Sequence, residues 1–247
     1  MQTIASQGEG AAAPAVLLSA PVPRPEAIRA LARADAHVNV THEQTLEGGQ
    51  IALMELLHSG LTFDLTGWDQ TPAPVDQHDQ SFDFDGEPDQ IYGALNLSTG
   101  PHISGAAAML PVVRVMTGLL CRLARLEGVK AIRWLPAQSI MSVDYFEKVI
   151  GTWLKGGVFP GLGLVSLQPD AAGNIRTHGM GYFGSQELVF PKETFANPRQ
   201  IAEIAVRLID ELVGNPPLAG ECTVMGPGGS LLLLSPSEQG EVLRVLR

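Results

Sequence analysis

Apolar and polar side chains alternate strictly across Leu61-Thr62-Phe63-Asp64-Leu65-Thr66, the period of a strand with one face on a core and the other in water. The same period, or a short apolar run between turn residues, predicts strands at 15–19, 37–41, 50–57, 91–98, 130–136, 161–168, 221–225 and 231–234. His58-Ser59-Gly60 then makes the turn of a hairpin over 50–66. A period near 3.6 predicts four main helices. One spans 25–34, with Pro25 near its first position and Ile28 and Leu31 inward. A second, over 106–126, is apolar on nearly every side. A third, over 143–155, is capped by Ser142 and stopped by Gly156. The fourth starts at Asn197-Pro198-Arg199-Gln200 and turns Ile201, Ile204, Ala205, Leu208 and Leu212 inward. Ser235-Pro236-Ser237-Glu238 reads as the cap of a short final helix.

Strands therefore come in neighbouring pairs interrupted by single helices. That order predicts an α+β fold with a largely antiparallel sheet, in one domain over 15–247 behind a mobile tail at 1–14. A β-α-β-β order recurs loosely in both halves, as a duplicated unit would produce.

The most distinctive run is Thr177-His178-Gly179-Met180-Gly181-Tyr182-Phe183-Gly184-Ser185-Gln186-Glu187-Leu188. Glycine inside a strand marks a bulge or the close approach of another backbone. If 174–182 is extended, Thr177, Gly179 and Gly181 share one face and His178, Met180 and Tyr182 the other. The glycine face can seat a neighbouring element or a partner, or serve geometry alone. The pattern T-x-G-M-x-x-F-G-x-x-E-L, met by Thr177, Gly179, Met180, Phe183, Gly184, Glu187 and Leu188, resembles the hallmark of a bacterial domain-of-unknown-function family. The likeness covers roughly the last third of the chain, with a vaguer similarity near the N-terminus. It implies a bacterial cytosolic α+β domain and carries no activity with it.

Charge narrows the choice of partners. Of the formal net charge of −10, residues 1–105 hold 14 acidic and 3 basic side chains, and the remainder 12 and 13. No cationic cluster is available to displace counterions, so neither nucleic acid nor an anionic membrane surface is an expected partner. A basic protein partner is. Residues 67–90 concentrate six Asp and one Glu with three prolines, the composition of a long solvated loop. Within it, Ser81, Asp83, Asp85, Gly86 and Asp89 imitate part of a calcium loop, but Tyr92 stands where a bidentate Glu is needed. The opening residues lack Lys and Arg, unlike a secretory signal, and Arg114, Arg122 and Arg125 within 106–126 argue against a membrane span. Two widely spaced cysteines, Cys121 and Cys222, fit reduced thiols in the cytoplasm.

The usual catalytic signatures are missing: there is no G-x-S-x-G, H-E-x-x-H, C-x-x-C or phosphate-loop lysine motif. No cofactor or metal is assigned. Three places remain. The loop of Thr99, His102 and Ser104 leads into the second helix, where free amides can hold an anion and His102 can act as a general base. His178 and Glu187 can face each other across a hairpin as an acid–base or metal pair, or as a plain cross-strand contact. On the second helix Arg114, Gly118 and Arg122 form one polar stripe, either a ridge paired with acids of the N-terminal half or a seat for an acidic ligand. Two functions follow: a non-catalytic, protein-binding or regulatory domain is favoured, and a small-molecule hydrolase using His102 or His178 is the alternative.

Overall fold

Residues 13–76, 78–86, 90–195 and 197–247 are described by the computed structural model of the chain. The expected tail therefore falls outside the described residues up to position 12.

Nine strands build the first sheet. They are β1 (Ala15–Ser19), β2 (Val38–Thr45), β3 (Ile51–His58), β4 (Leu61–Thr66), β5 (Ala73–Pro74), β6 (Gln80–Phe82), β7 (Ile91–Thr99), β8 (Val129–Trp134) and β9 (Ser139–Ser142). Their order is β2-β3-β4-β7-β1-β8-β9-β6, with β5 laid on β7. The second sheet holds β10 (Ser166–Pro169), β11 (Ile175–His178), β12 (Glu187–Phe190), β13 (Cys222–Met225), β14 (Leu231–Pro236) and β15 (Val242–Leu246). Its order is β10-β11-β12-β15-β14-β13. All pairings are antiparallel except β6 on β9 and β12 on β15, so the expected α+β class with largely antiparallel pairing is what the chain adopts, divided between two sheets.

The four main helices are α1 (Pro25–Ala34), α2 (Leu110–Leu123), α3 (Val143–Leu154) and, after the single kinked turn α4 (Gly161–Leu164), α5 (Pro198–Leu212). Ser142 caps α3 by accepting from Tyr145 N, and Asn197 caps α5 by accepting from Arg199 N, as their positions in the sequence require. One continuous apolar core, from Leu17 and Trp134 through Met116 to Phe190 and Val245, runs under both sheets. A strand–helix–meander arrangement occurs twice. β1 and α1 lead to β2, β3, β4 and β7, and β7 pairs antiparallel with β1. β12 and α5 lead to β13, β14 and β15, and β15, after one strand fewer, pairs parallel with β12.

Three local expectations are corrected. The second helix begins at Leu110 because Pro111 has no N–H to donate and fits only a first turn. Residues before it form a short 3₁₀ turn, Pro101–Ala106. The apolar run at 161–168 is strand only from Ser166, since Gly163 turns with φ +130°. The final helix is absent: β14 continues to Pro236, a turn ends at Gly240, and Leu243 and Val245 enter the core while Arg244 faces out. A period of two there overrides the cap-like Ser-Pro-Ser-Glu.

The acidic segment is also more ordered than a solvated loop. Its β6 pairs with β9, and Arg133 on β8 holds both Asp76 (3.4 Å) and Asp79, whose side chain is only 2% exposed. Asp83 accepts from Ser142 Oγ at 3.3 Å. The ninth position of the calcium-like pattern, Asp89, lies outside the described residues.

Candidate functional site

The hallmark stretch is extended only as far as His178, and this overturns the shared glycine face. Beyond β11 the chain turns at Gly179, makes a 3₁₀ turn over Gly181–Phe183 and re-enters the sheet as β12. Gly179 has φ +112°, and a Cβ there would lie 2.8 Å from the carbonyl oxygen of Leu164, so no side chain fits. Gly181 is exposed and lines a groove.

Glu187 closes this turn. Its Oε2 accepts from Thr177 Oγ1 at 2.6 Å, and its Oε1 accepts from the backbone N–H groups of Gly179 (3.0 Å) and Gly181 (2.9 Å). Thr177 Oγ1 in turn accepts from Leu188 N at 2.7 Å. The carboxylate thus takes the place of a strand partner for amides that the turn has pulled out of the ladder. Met180, Phe183 and Leu188 are buried in the core. Six of the seven hallmark positions, Thr177, Gly179, Met180, Phe183, Glu187 and Leu188, thereby have a structural use.

His178 and Glu187 are neighbours without a side-chain hydrogen bond between them among the described residues. His178 is half-buried, and burial holds its imidazole below the usual histidine range, against the pull of Glu187. His102 is exposed in the 3₁₀ turn, far along the chain from α2's first residue. Ser104 donates to Pro101 O at 3.0 Å and caps no helix, and Thr99 ends β7 opposite Phe63. The helix α2 starts at Met109 without a side-chain cap, so the expected loop-to-helix anion site of Thr99, His102 and Ser104 is not assembled around its amides.

Instead the hallmark turn faces the segment before α2 across a groove of about 520 Å³, lined by Met109, Leu110, Pro111, Gly181, Tyr182 and Gly184 among others. Met109 is 59% exposed at its rim. Among the described residues, Tyr182 is the only ionisable side chain of the lining. Its hydroxyl donates to Ala107 O at 3.1 Å, and burial pushes its pKa up to about 12. From Tyr182 an aromatic row runs inward: Phe183 (5.2 Å), Phe159 (5.3 Å) and Trp153 (5.4 Å) follow edge to face, and Trp134 packs on Tyr182 at 5.5 Å.

The row ends at Arg114, whose guanidinium lies 5.2 Å from the Trp153 ring and donates to Leu154 O at 2.9 Å. Farther along α2, Arg122 donates from Nε to Asp35 (2.7 Å) and from Nη1 to Gly118 O (3.1 Å). Pairing with an acid of the N-terminal half therefore holds for Arg122, and Arg125 pairs with Glu147 at 2.8 Å. Arg114 and Arg122 line a second groove of about 370 Å³ together with His58, Ser59 and Gly118. His58 is 4% exposed, and its Nδ1–H donates to His37 O at 2.7 Å. Read in the sequence as a hairpin turn residue, His58 gave no sign of this role. Only the Arg114-Gly118-Arg122 spacing pointed to the place, because a glycine between two arginines leaves room that another element can fill.

These grooves and the closed hallmark turn define a two-sheet α+β protein with an apolar groove at the first turn of α2 and a cationic one farther along the helix. No family model, curated protein or solved structure matches the chain. Among the described residues, no helix is long and apolar enough to cross a membrane, and no group of three or more His, Cys, Asp or Glu is placed to hold a metal ion.

Proposed function

We propose that the chain is a non-catalytic protein-binding domain whose hallmark turn presents the apolar groove to a partner. The single observation that carries this reading is the groove's lining. It offers aromatic and aliphatic surface and glycine backbone, with no carboxylate, imidazole or nucleophile beside Tyr182, whose proton is held. Such a surface buries an apolar side chain of a partner and has nothing with which to move a proton. The net charge of −10 favours a partner that presents that side chain from a basic surface. Likeness to the bacterial hallmark, and two cysteines that are not joined, support a bacterial cytoplasmic setting. Hydrolysis through His102 or His178 draws less support. Neither imidazole hydrogen-bonds a carboxylate or hydroxyl among the described residues, and the carboxylate of Glu187 is spent on the turn.

The immobilised chain, in wild-type form and as Met109→Glu, tests this against a bacterial lysate. A basic protein retained by the wild type and lost with Met109→Glu supports the groove. Retention that is the same for both forms, or retention abolished only by reversing the charges at 69–89, overturns it.

A further inference from the structure

The second groove, farther along α2, carries a separate site. His58 is almost wholly buried, yet among the described residues only one of its ring nitrogens has a partner. A carbonyl, His37 O, accepts from Nδ1, so Nδ1 carries the proton and the neutral ring leaves Nε2 as a hydrogen-bond acceptor. No group among the described residues donates to Nε2. That nitrogen lies over Gly118, where a Cβ added to the glycine would stand 3.6 Å from it.

Both arginines of the stripe line this groove. Arg122 gives its Nε to Asp35 and folds back until Nη1 reaches Gly118 O, so Nη2 is what it has left to offer a ligand, without a partner among the described residues. Arg114 comes from one turn before Gly118. It has no carboxylate within ion-pair distance among the described residues, and its guanidinium carbon lies 5.2 Å from the centre of the Trp153 ring. The side chain of Leu154 closes the far side, its Cδ1 being 3.7 Å from the same added Cβ. The opening therefore combines two guanidinium groups, which seek anionic oxygens, with an imidazole nitrogen that seeks a proton donor. A carboxylate or a sulfate satisfies only the first demand. A phosphate group near neutral pH can satisfy both: the dianion of free phosphate keeps one P–OH beside its P–O⁻ oxygens, and a monoester, whose second proton leaves at about pH 6, can hold that proton in the site.

We propose that the groove of His58, Arg114, Gly118 and Arg122 binds a singly protonated phosphate group, free or as a small monoester, with the arginines on its anionic oxygens and His58 Nε2 accepting its proton. For a monoester the same complex forms if the dianion arrives and His58 takes a proton from solvent, so binding of the monoester dianion is accompanied by proton uptake, whereas the dianion of free phosphate already carries a P–OH.

Nitrogen-15 spectra of the full chain, recorded at neutral pH with inorganic phosphate, a simple alkyl phosphate monoester or sodium sulfate, test the proposal. Phosphate is expected to shift His58 Nε2 saturably, and sulfate to bind at least about tenfold more weakly. The monoester arm tells free phosphate from an esterified ligand: equal or tighter binding assigns an ester, and its failure beside phosphate binding assigns the free ion. Lowering the pH protonates His58 against burial, Arg122 and His37 and with the help of Asp35, in a groove that Arg114 also lines, and should close the gap between sulfate and phosphate. Arg114→Gln is expected to lose at least about tenfold in phosphate affinity. Gly118→Ala separates binding from folding. Alanine is the better helix residue and its methyl clashes with nothing, so the protein should melt higher, while the methyl occupies the floor of the site and weakens binding by a similar factor. Equal response to sulfate and phosphate at neutral pH, or unchanged phosphate binding in both Arg114→Gln and Gly118→Ala, overturns the proposal.

Discussion

Thr177 Oγ1 donates to Glu187 Oε2 at 2.6 Å while accepting from Leu188 N at 2.7 Å, so one hydroxyl ties the carboxylate to the backbone of the strand that carries it. The pair closes a turn whose amides would otherwise lack acceptors. An acid in this position is what a catalytic search would select, and its hydrogen bonds assign it to architecture.

Removal of that carboxylate should therefore appear as lost stability. Glu187→Ala leaves the buried Thr177 hydroxyl and two turn amides without their acceptor, which costs about 2–4 kcal/mol, whereas Glu187→Gln keeps an acceptor and costs about 1 kcal/mol. Urea unfolding of the two variants measures the difference. Equal losses would show that charge, and not the hydrogen-bond count, holds the turn.

Gly179→Ala should be as damaging although it adds a single methyl. The backbone conformation at φ +112° is strained for any L side chain, and the new Cβ would sit 2.8 Å from Leu164 O. Strain and overlap together are expected to lower stability by about 2–4 kcal/mol, read as a fall in the urea midpoint.

Arg133 and Asp79 form the buried ion pair that straps the acidic segment to the first sheet, and burial already raises the Asp79 carboxyl above its usual range. Arg133→Met leaves that carboxylate without its counter-charge, a loss of about 3–5 kcal/mol at neutral pH. The variant's sign with pH follows. A carboxyl whose pKa is higher folded than unfolded stabilises the fold while protonated, and this is lost as pH rises through its folded value. Arg133→Met should consequently be nearer to wild type at about pH 4 than at pH 7 in chemical denaturation.

Burial acts in the opposite sense on His58, holding its imidazole below the ordinary value of 6.5. The unfolded chain then takes up the proton first. Stability is full above the unfolded pKa and declines as pH falls from about 6.5 toward the folded value. His58→Asn should flatten that part of the stability–pH curve, measured without phosphate present.

The cysteines should separate by reactivity. Burial pushes the Cys121 thiol up to about 11, while Cys222 lies on β13, at the edge of the second sheet. A thiol-specific reagent at neutral pH is expected to label Cys222 first and Cys121 only on unfolding, because the thiolate is the reacting form. Rapid labelling of both in the native state would contradict this.

What the sequence determined by itself is local. The alternation across Leu61 to Thr66, the apolar cycle on α5 and the caps at Ser142 and Asn197 each arise from contacts within a few residues, and each stands where the pattern puts it. The two-residue period of Val242–Leu246 was equally legible, yet a neighbouring cap-like tetrapeptide misled the reading. Tertiary structure alone decided the rest. It turned the chain at Gly179 because Leu164 and Ala137 press against it, and it spent Glu187 on amides separated from it by several residues. It also laid His58 of the first hairpin over Gly118 of α2. Periodicity tells which face of an element is apolar. Which distant element arrives at that face depends on packing the whole core, and a site assembled from such meetings has no signature along the chain.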